Sequence, residues 1–254
     1  MQSMILSIPK LRPDASIRLV CFPYAGGGSA TYLPWQHHLD SNVELVIVQL
    51  PGRGARFSEA PYQTMTEIVT AIFYALKELD NKPVIFFGHS MGARVAYELT
   101  LMLCRYNSKL PVHFIASGSV APCIKRTKEE THHLPDDEFI AKLIALNGSP
   151  LEVLANKELM QLMLPFLRAD FKIIETYCND SKFLIPTKLS ILMGDEEEIE
   201  NHEVEMWFEL FENHMPINWV RGGHFFVDKN RGDVLKVVNA IITNYLSHHY
   251  ASDI

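Results

Sequence analysis

Val84-Ile-Phe-Phe-Gly-His-Ser-Met-Gly-Ala-Arg94 places an apolar run before Gly88-His-Ser-Met-Gly92 and a helix-like run after it. The pentapeptide fits G-x-S-x-G, a nucleophile elbow in which a serine stands on a sharp turn between a strand and a helix. Gly88 and Gly92 suit that turn, because a Cβ at either place would crowd the strand or the helix. A serine hydroxyl attacks well only beside a base and facing donors for the developing oxyanion, so Ser90 is the residue around which the rest must be arranged. The pattern alone is weak, since roughly one unrelated chain in ten of this length would contain it by chance. Its surroundings decide its meaning.

Short β-branched or apolar runs predict strands at 17–22, 43–48, 84–87, 112–117, 189–193 and 217–220. Helical spacing fills most of the intervals, at 66–79 after a Thr-x-x-Glu-like opening, at 91–104 and at 234–246. Such alternation predicts an α/β fold, a mostly parallel central sheet with right-handed crossovers and helices on both faces. Its reactive loops lie at the carboxyl ends of the strands. One interval breaks the pattern. Residues 122–186 read as helix, with predicted helices at 136–146, 151–168 and 169–177, an interruption at Asn147-Gly-Ser-Pro150 and a bend at Pro165. The segment is rich in apolar residues, among them Phe139, Leu143, Leu154, Met160, Leu164 and Phe166, as a helical lid over Ser90 would be. The organisation expected is one domain, 1–254, with this insertion.

A net charge of −7 over 254 residues argues against nucleic acid as a partner, because phosphate neutralisation needs a basic face. No apolar run approaches a membrane span, and Lys10 and Arg12 follow the first apolar stretch instead of preceding it, so a soluble, unexported, cytoplasmic protein is expected. Cys21, Cys104, Cys123 and Cys178 have neither C-x-x-C spacing nor a metal pattern and read as reduced packing residues.

The partners of Ser90 should follow in the order serine, acid, histidine. Of 11 histidines, His224 stands in Arg221-Gly-Gly-His-Phe-Phe226, just beyond the last predicted strand, where a glycine pair can set an imidazole over the elbow. His89 points elsewhere on a sharp turn and reads as a packing or hydrogen-bonding residue. His37, His38, His132, His133, His248 and His249 read as solvated. After the strand at 189–193 come Gly194-Asp-Glu-Glu-Glu198, of which at most one is the buried carboxylate that holds the imidazole tautomer. Asp195 is nearest the strand, whereas Glu197 has the longer reach. The oxyanion donors are backbone amides: Met91, after the nucleophile, and Ala25 or Gly26 from the turn Phe22-Pro-Tyr-Ala-Gly-Gly-Gly-Ser29. That turn is not G-x-G-x-x-G, and no Gly-Lys-Ser or Gly-Lys-Thr follows it, so a dinucleotide or phosphate cradle is a poor reading.

Six segments together resemble the type II thioesterases of polyketide and nonribosomal peptide synthesis and the related medium-chain acyl thioesterases of fatty acid synthase. They are Leu19-Val-Cys-Phe-Pro-Tyr-Ala-Gly-Gly-Gly28, Leu50-Pro-Gly-Arg-Gly54, Phe87-Gly-His-Ser-Met-Gly92, His133-Leu-Pro-Asp-Asp-Glu-Phe139, Leu164-Pro-Phe-Leu-Arg-Ala-Asp170 and Gly222-Gly-His-Phe-Phe226. The resemblance implies an α/β-hydrolase fold with Ser90 as nucleophile, His224 as base, the amides of Met91 and Ala25 as oxyanion hole, and a mobile helical lid. It implies an aspartate third after the strand-end glycine. Glu197 stands there, which favours Glu197 over Asp195 and leaves Asp195 as the alternative. The implied reaction is hydrolysis, through an acyl-enzyme, of thioesters on the phosphopantetheine arm of an acyl or peptidyl carrier protein, by a monomer without metal or cofactor. Lys125-Arg-Thr-Lys128, Arg53 and Arg56 are candidates for a basic patch that guides an acidic carrier. A carboxylesterase or lipase, and a silent acyl-binding homologue, are the other classes such a chain could serve.

Overall fold

The computed structural model describes residues 5–79, 81–125, 129–146 and 155–250, with residues 249 and 250 by their backbone only. Its strands are β1 (Leu6–Ser7), β2 (Ile17–Phe22), β3 (Val43–Val48), β4 (Val84–His89), β5 (His113–Ser117), β6 (Ile185–Gly194), β7 (Phe211–His214) and β8 (Asn218–Val220). They form one sheet in the order β1-β3-β2-β4-β5-β6-β7, with β8 also pairing with β6. Every ladder is parallel except β1 on β3. The six strands expected from sequence are all present. β2 to β5 are buried along their whole length, as strands covered on both faces must be.

The helices are α1 (Ser29–Tyr32), α2 (Met65–Lys77), α3 (Met91–Arg105), α4 (Asp136–Ala145), α5 (Lys157–Thr176), α6 (Asn201–Glu205), α7 (Phe226–Lys229) and α8 (Arg231–Tyr250). α2 opens on a capping box in which Thr64 Oγ1 accepts from the Glu67 N–H and the Glu67 carboxylate accepts from the Thr64 N–H. This moves the predicted start back to Met65. Its apolar stripe, Ile68, Val69, Ile72, Phe73 and Leu76, packs on one face of the sheet together with α3. The other face is covered by Tyr32, Trp35 and the α8 residues Val234, Val238 and Ile242.

Between β5 and β6 the chain leaves the sheet. α4 and α5 bury Phe139, Leu143, Met160, Leu164, Phe166 and Leu167 in a small core of their own. The two helices expected at 151–168 and 169–177 are, from Lys157 onward, one helix with Pro165 inside it. The proline forgoes one backbone hydrogen bond without ending the helix, because Leu164, Phe166 and Leu167 hold the segment by burial on both sides of it. The interruption expected at 147–150, and the start of the next predicted helix at 151–154, lie outside the described residues.

Parallel pairing brings five strand ends to one edge. Phe22 pairs with Gly88, His89 with Ser117, Ser117 with Leu192, and Gly194 with Val220. The loops that follow β2, β4, β6 and β8 therefore meet, and they are the loops that carry Ala25, Ser90, Glu197 and His224.

Candidate active site

Ser90 joins β4 to α3 with φ 53° and ψ −116°, a conformation that non-glycine residues rarely adopt. Its N–H donates to the Ser117 carbonyl at 2.8 Å, which anchors the turn to the neighbouring strand. Close approach on both sides explains the glycines. A Cβ at Gly92 would stand 2.0 Å from the Phe22 carbonyl oxygen, and one at Gly88 would stand 2.5 Å from the Ala93 Cα. The turn can be this tight only with glycine at both places.

The Ser90 hydroxyl lies 3.0 Å from Nε2 of His224, and Nδ1 of His224 lies 2.8 Å from Oε2 of Glu197. The Glu197 side chain is 3% exposed and its other oxygen accepts from the Gly194 N–H at 3.2 Å. Carboxylate, imidazole and hydroxyl thus form one continuous relay. Asp195, the other candidate, is exposed and accepts from the Gly222 N–H at 2.8 Å, on the backbone of the histidine loop. The Asp195 N–H also donates to the Val220 carbonyl, and Glu196 N–H to that of Gly222. This strapping fixes the loop that bears His224 while Glu197 addresses the ring.

His89 is fully buried and, as expected, a hydrogen-bonding residue. Its Nδ1 lies 2.9 Å from Ser117 Oγ and its Nε2 2.9 Å from the His224 carbonyl. The ring next to the serine therefore supports the backbone of the residue that faces it. Tyr24, in the turn after β2, donates its hydroxyl to Asp228 Oδ2 at 2.7 Å. Burial pushes the Asp228 carboxyl above the ordinary carboxylate value, although the Tyr24 hydroxyl opposes that shift.

A cavity of about 360 Å³ opens over Ser90 and His224, lined by Ala25, Leu146, Phe171, Ile174 and Phe225 among others. Its wall is made partly by α4 and α5, so the insertion covers the elbow. At its rim the buried Glu175 accepts from the Thr131 N–H and hydroxyl and from the His132 N–H, with His132 Nδ1 at 2.7 Å. Burial raises the Glu175 carboxyl, but the bonds from Thr131 and His132 outweigh it and hold the group below its ordinary value. His132 is accordingly half-buried and engaged, not solvated.

The basic patch does not assemble as expected. Arg53 and Arg56 are each 7% exposed and are committed to partners, Arg53 to Asp170 and Arg56 to Glu59 and the Gln49 carbonyl. Burial takes both guanidinium groups away from any approaching protein. Lys125 is exposed near Glu130, and 126–128 lie outside the described residues. The four cysteines are free thiols. Sequence reasoning missed the Arg53–Asp170 pair and the Tyr24–Asp228 bond, which join residues more than a hundred positions apart and leave no local signal.

A parallel α/β sheet with a serine elbow after one strand, a carboxylate loop after a later one and a histidine loop after the last defines an α/β-hydrolase. The chain belongs to the thioesterase domain family, whose model matches residues 17–242. It is 35% identical to the gramicidin S biosynthesis protein GrsT of Aneurinibacillus migulanus over 225 residues, 87% of either chain. To the medium-chain S-acyl fatty acid synthase thioesterase of Anas platyrhynchos it is 31% identical over 252 residues, 94% of this chain and 98% of that one. The solved type II thioesterase BorB, from the borrelidin biosynthetic cluster, superposes with a TM-score of 0.83 at 29% identity, covering 92% of this chain and 95% of its own.

Proposed function

We propose that this thioesterase hydrolyses acyl thioesters carried on the phosphopantetheine arm of acyl or peptidyl carrier proteins, clearing stalled or wrongly primed acyl groups from a polyketide or nonribosomal peptide synthase. The observation that carries the reading is the Glu197–His224–Ser90 relay, at 2.8 and 3.0 Å, opening into a cavity with apolar walls. His224 takes the Ser90 proton as the hydroxyl attacks the thioester carbonyl. The amides of Met91 and Ala25 receive the oxyanion, and the tetrahedral species collapses with loss of the pantetheine thiol. Water, activated by the same imidazole, then releases the acid from Ser90. Glu197, buried beside Nδ1, holds the tautomer that leaves Nε2 free to accept the proton and stabilises the imidazolium once formed.

The apolar lining suits an acyl chain, since burying each methylene is worth about 0.8 kcal/mol. The imidazolium of His224 returns its proton to the departing thiolate, and no step requires a metal. In this reading the chain is a single-domain cytoplasmic monomer whose inserted helices, within about 122–186, act as a lid. Among the described residues no helix is long and apolar enough to cross a membrane. The experiment is a side-by-side rate comparison of an acyl-pantetheine thioester, an acyl carrier protein and a nitrophenyl ester of the same acyl chain. Higher kcat/KM on the carrier-bound thioester is expected. A strong preference for the oxygen ester would replace this reading with that of a carboxylesterase, and absence of turnover with that of an acyl-binding homologue.

A further inference from the structure

The turn that bears Ala25 is held by two carboxylates from distant parts of the chain. On one side Tyr24 donates to Asp228, four residues beyond His224. On the other, the Gly26 N–H donates to Asp170 Oδ2 at 2.8 Å, and Asp170 stands on α5, the long helix of the insertion. Asp170 is 2% exposed, and its two oxygens also receive a fork from Arg53, at 2.5 and 2.7 Å. The same guanidinium donates to the Gly27 carbonyl at 3.1 Å and lies over the Phe166 ring, 4.5 Å from its centre. The pair therefore grips the amide of Gly26 and the carbonyl of Gly27, directly after Ala25, the residue whose amide the proposed mechanism assigns to the oxyanion hole. The helix also touches the turn: Gly26 has φ +81°, and a Cβ there would stand 2.8 Å from Leu167 Cδ2.

With the Gly26 N–H taken by Asp170, the choice left open by sequence between Ala25 and Gly26 narrows to Ala25, which lines the cavity beside Ser90. We infer that Asp170, backed by Arg53, is a positioning residue for the oxyanion hole: by fixing the peptide that follows Ala25 it aims the Ala25 amide, and it makes that aim depend on the seating of α5. The inference rests on the reading of Ser90 and Ala25 given above. Neither side chain touches the reacting atoms. A buried ion pair gains little stability over an apolar pair of similar volume, so replacing both partners together separates its positioning effect from its effect on folding.

The test compares Asp170→Asn with the double variant Arg53→Met, Asp170→Leu. The asparagine retains the size of the aspartate but cannot serve both Arg53 and the Gly26 N–H with carboxylate oxygens, and it leaves a buried guanidinium without its counter-charge. The double variant removes both charges. Each is characterised by kcat and KM for an acyl-pantetheine across pH, by the melting temperature, and by Ki for an alkyl trifluoromethyl ketone, whose hemiketal on Ser90 places an oxyanion against Met91 and Ala25. Loss of a full oxyanion donor typically costs about 10²–10³-fold, so a misaimed one should lower kcat about 10- to 100-fold. KM should stay within about threefold, Ki should rise by the factor that kcat falls, and the pH at which the base titrates should not move. The double variant should recover melting temperature and not kcat.

Recovery of kcat together with stability would overturn the inference, as would a fall in kcat with Ki unchanged. If the double variant does not fold, the kcat and Ki of Asp170→Asn decide alone. If the wild type binds the ketone yet turns over no thioester, the functional reading fails, and the Ki comparison still tests the positioning role.

Discussion

Replacing Glu197 by glutamine alters no heavy-atom count and still should silence the enzyme, for a reason the geometry makes specific. One Glu197 oxygen accepts from the Gly194 N–H and the other from His224 Nδ1. A glutamine has one oxygen to offer. Paired with Gly194, it turns its NH2 toward Nδ1, which must then accept, and the imidazole proton moves to Nε2. That nitrogen can no longer take the Ser90 proton. The same carboxylate-to-amide change in the serine protease triad lowers kcat about 10⁴-fold through the wrong tautomer, equivalent to about 5 kcal/mol at 1.36 kcal/mol per factor of ten. With the carboxylate this buried, water cannot substitute for it, and a loss of that order is expected here. Asp195→Asn retains an oxygen for the Gly222 N–H and should stay within about threefold of wild type. The assay is steady-state hydrolysis of an acyl-pantetheine thioester by both variants, with the fluorophosphonate labelling rate of Ser90 as a second readout. If Asp195→Asn loses several orders of magnitude while Glu197→Gln does not, the relay is wrongly assigned.

Three further outcomes follow from the same geometry. Gly92→Ala puts a methyl 2.0 Å from the Phe22 carbonyl oxygen, against the backbone of Phe22 and Pro23, and should cost about 3 kcal/mol or more in chemical denaturation together with most of the activity; unchanged stability would refute the close approach. His89→Ala removes the support of the His224 carbonyl and should lower kcat about tenfold or more with KM little changed, so a full kcat would show that the loop holds its shape without it. His113 is held neutral, its pKa lowered to about 4 by burial and, less, by the charge of Lys188. The unfolded imidazole protonates near the ordinary value of about 6.5, so this group's contribution is complete above that pH and is lost as pH falls toward about 4. The loss is worth roughly 3 kcal/mol, and His113→Gln should show a correspondingly smaller fall in stability across that window; an unchanged pH dependence would contradict the assignment.

The elbow was legible because its chemistry is local: an apolar strand, two glycines at fixed spacing and a helix with small residues at its start. The histidine loop was legible for the same reason, and parallel alternation then told which loops share an edge. The acid could be narrowed only to Asp195 or Glu197. A carboxylate's target is set by the path of a turn, here by the bonds tying 194–196 to 220–222, which no spacing rule encodes. Arg53 read as a surface cation because arginine usually is one, and its burial depends on Asp170, 117 positions away. β1 and β7 were missed because two residues, or Phe211-Glu-Asn-His214 with one buried side chain, carry no apolar pattern and exist as strands only by pairing with β3 and β6.

The central claim is that Ser90 carries the acyl group between its two carriers, thiol and water. It is tested most directly by intact-protein and peptide mass spectrometry of enzyme quenched within the first turnover of an acyl-pantetheine thioester. An added acyl mass is expected on the peptide containing Ser90, matched by a burst of one free thiol per enzyme, with both lost in Ser90→Ala. Thiol release that persists in Ser90→Ala, with no acyl mass on the wild type, would contradict it.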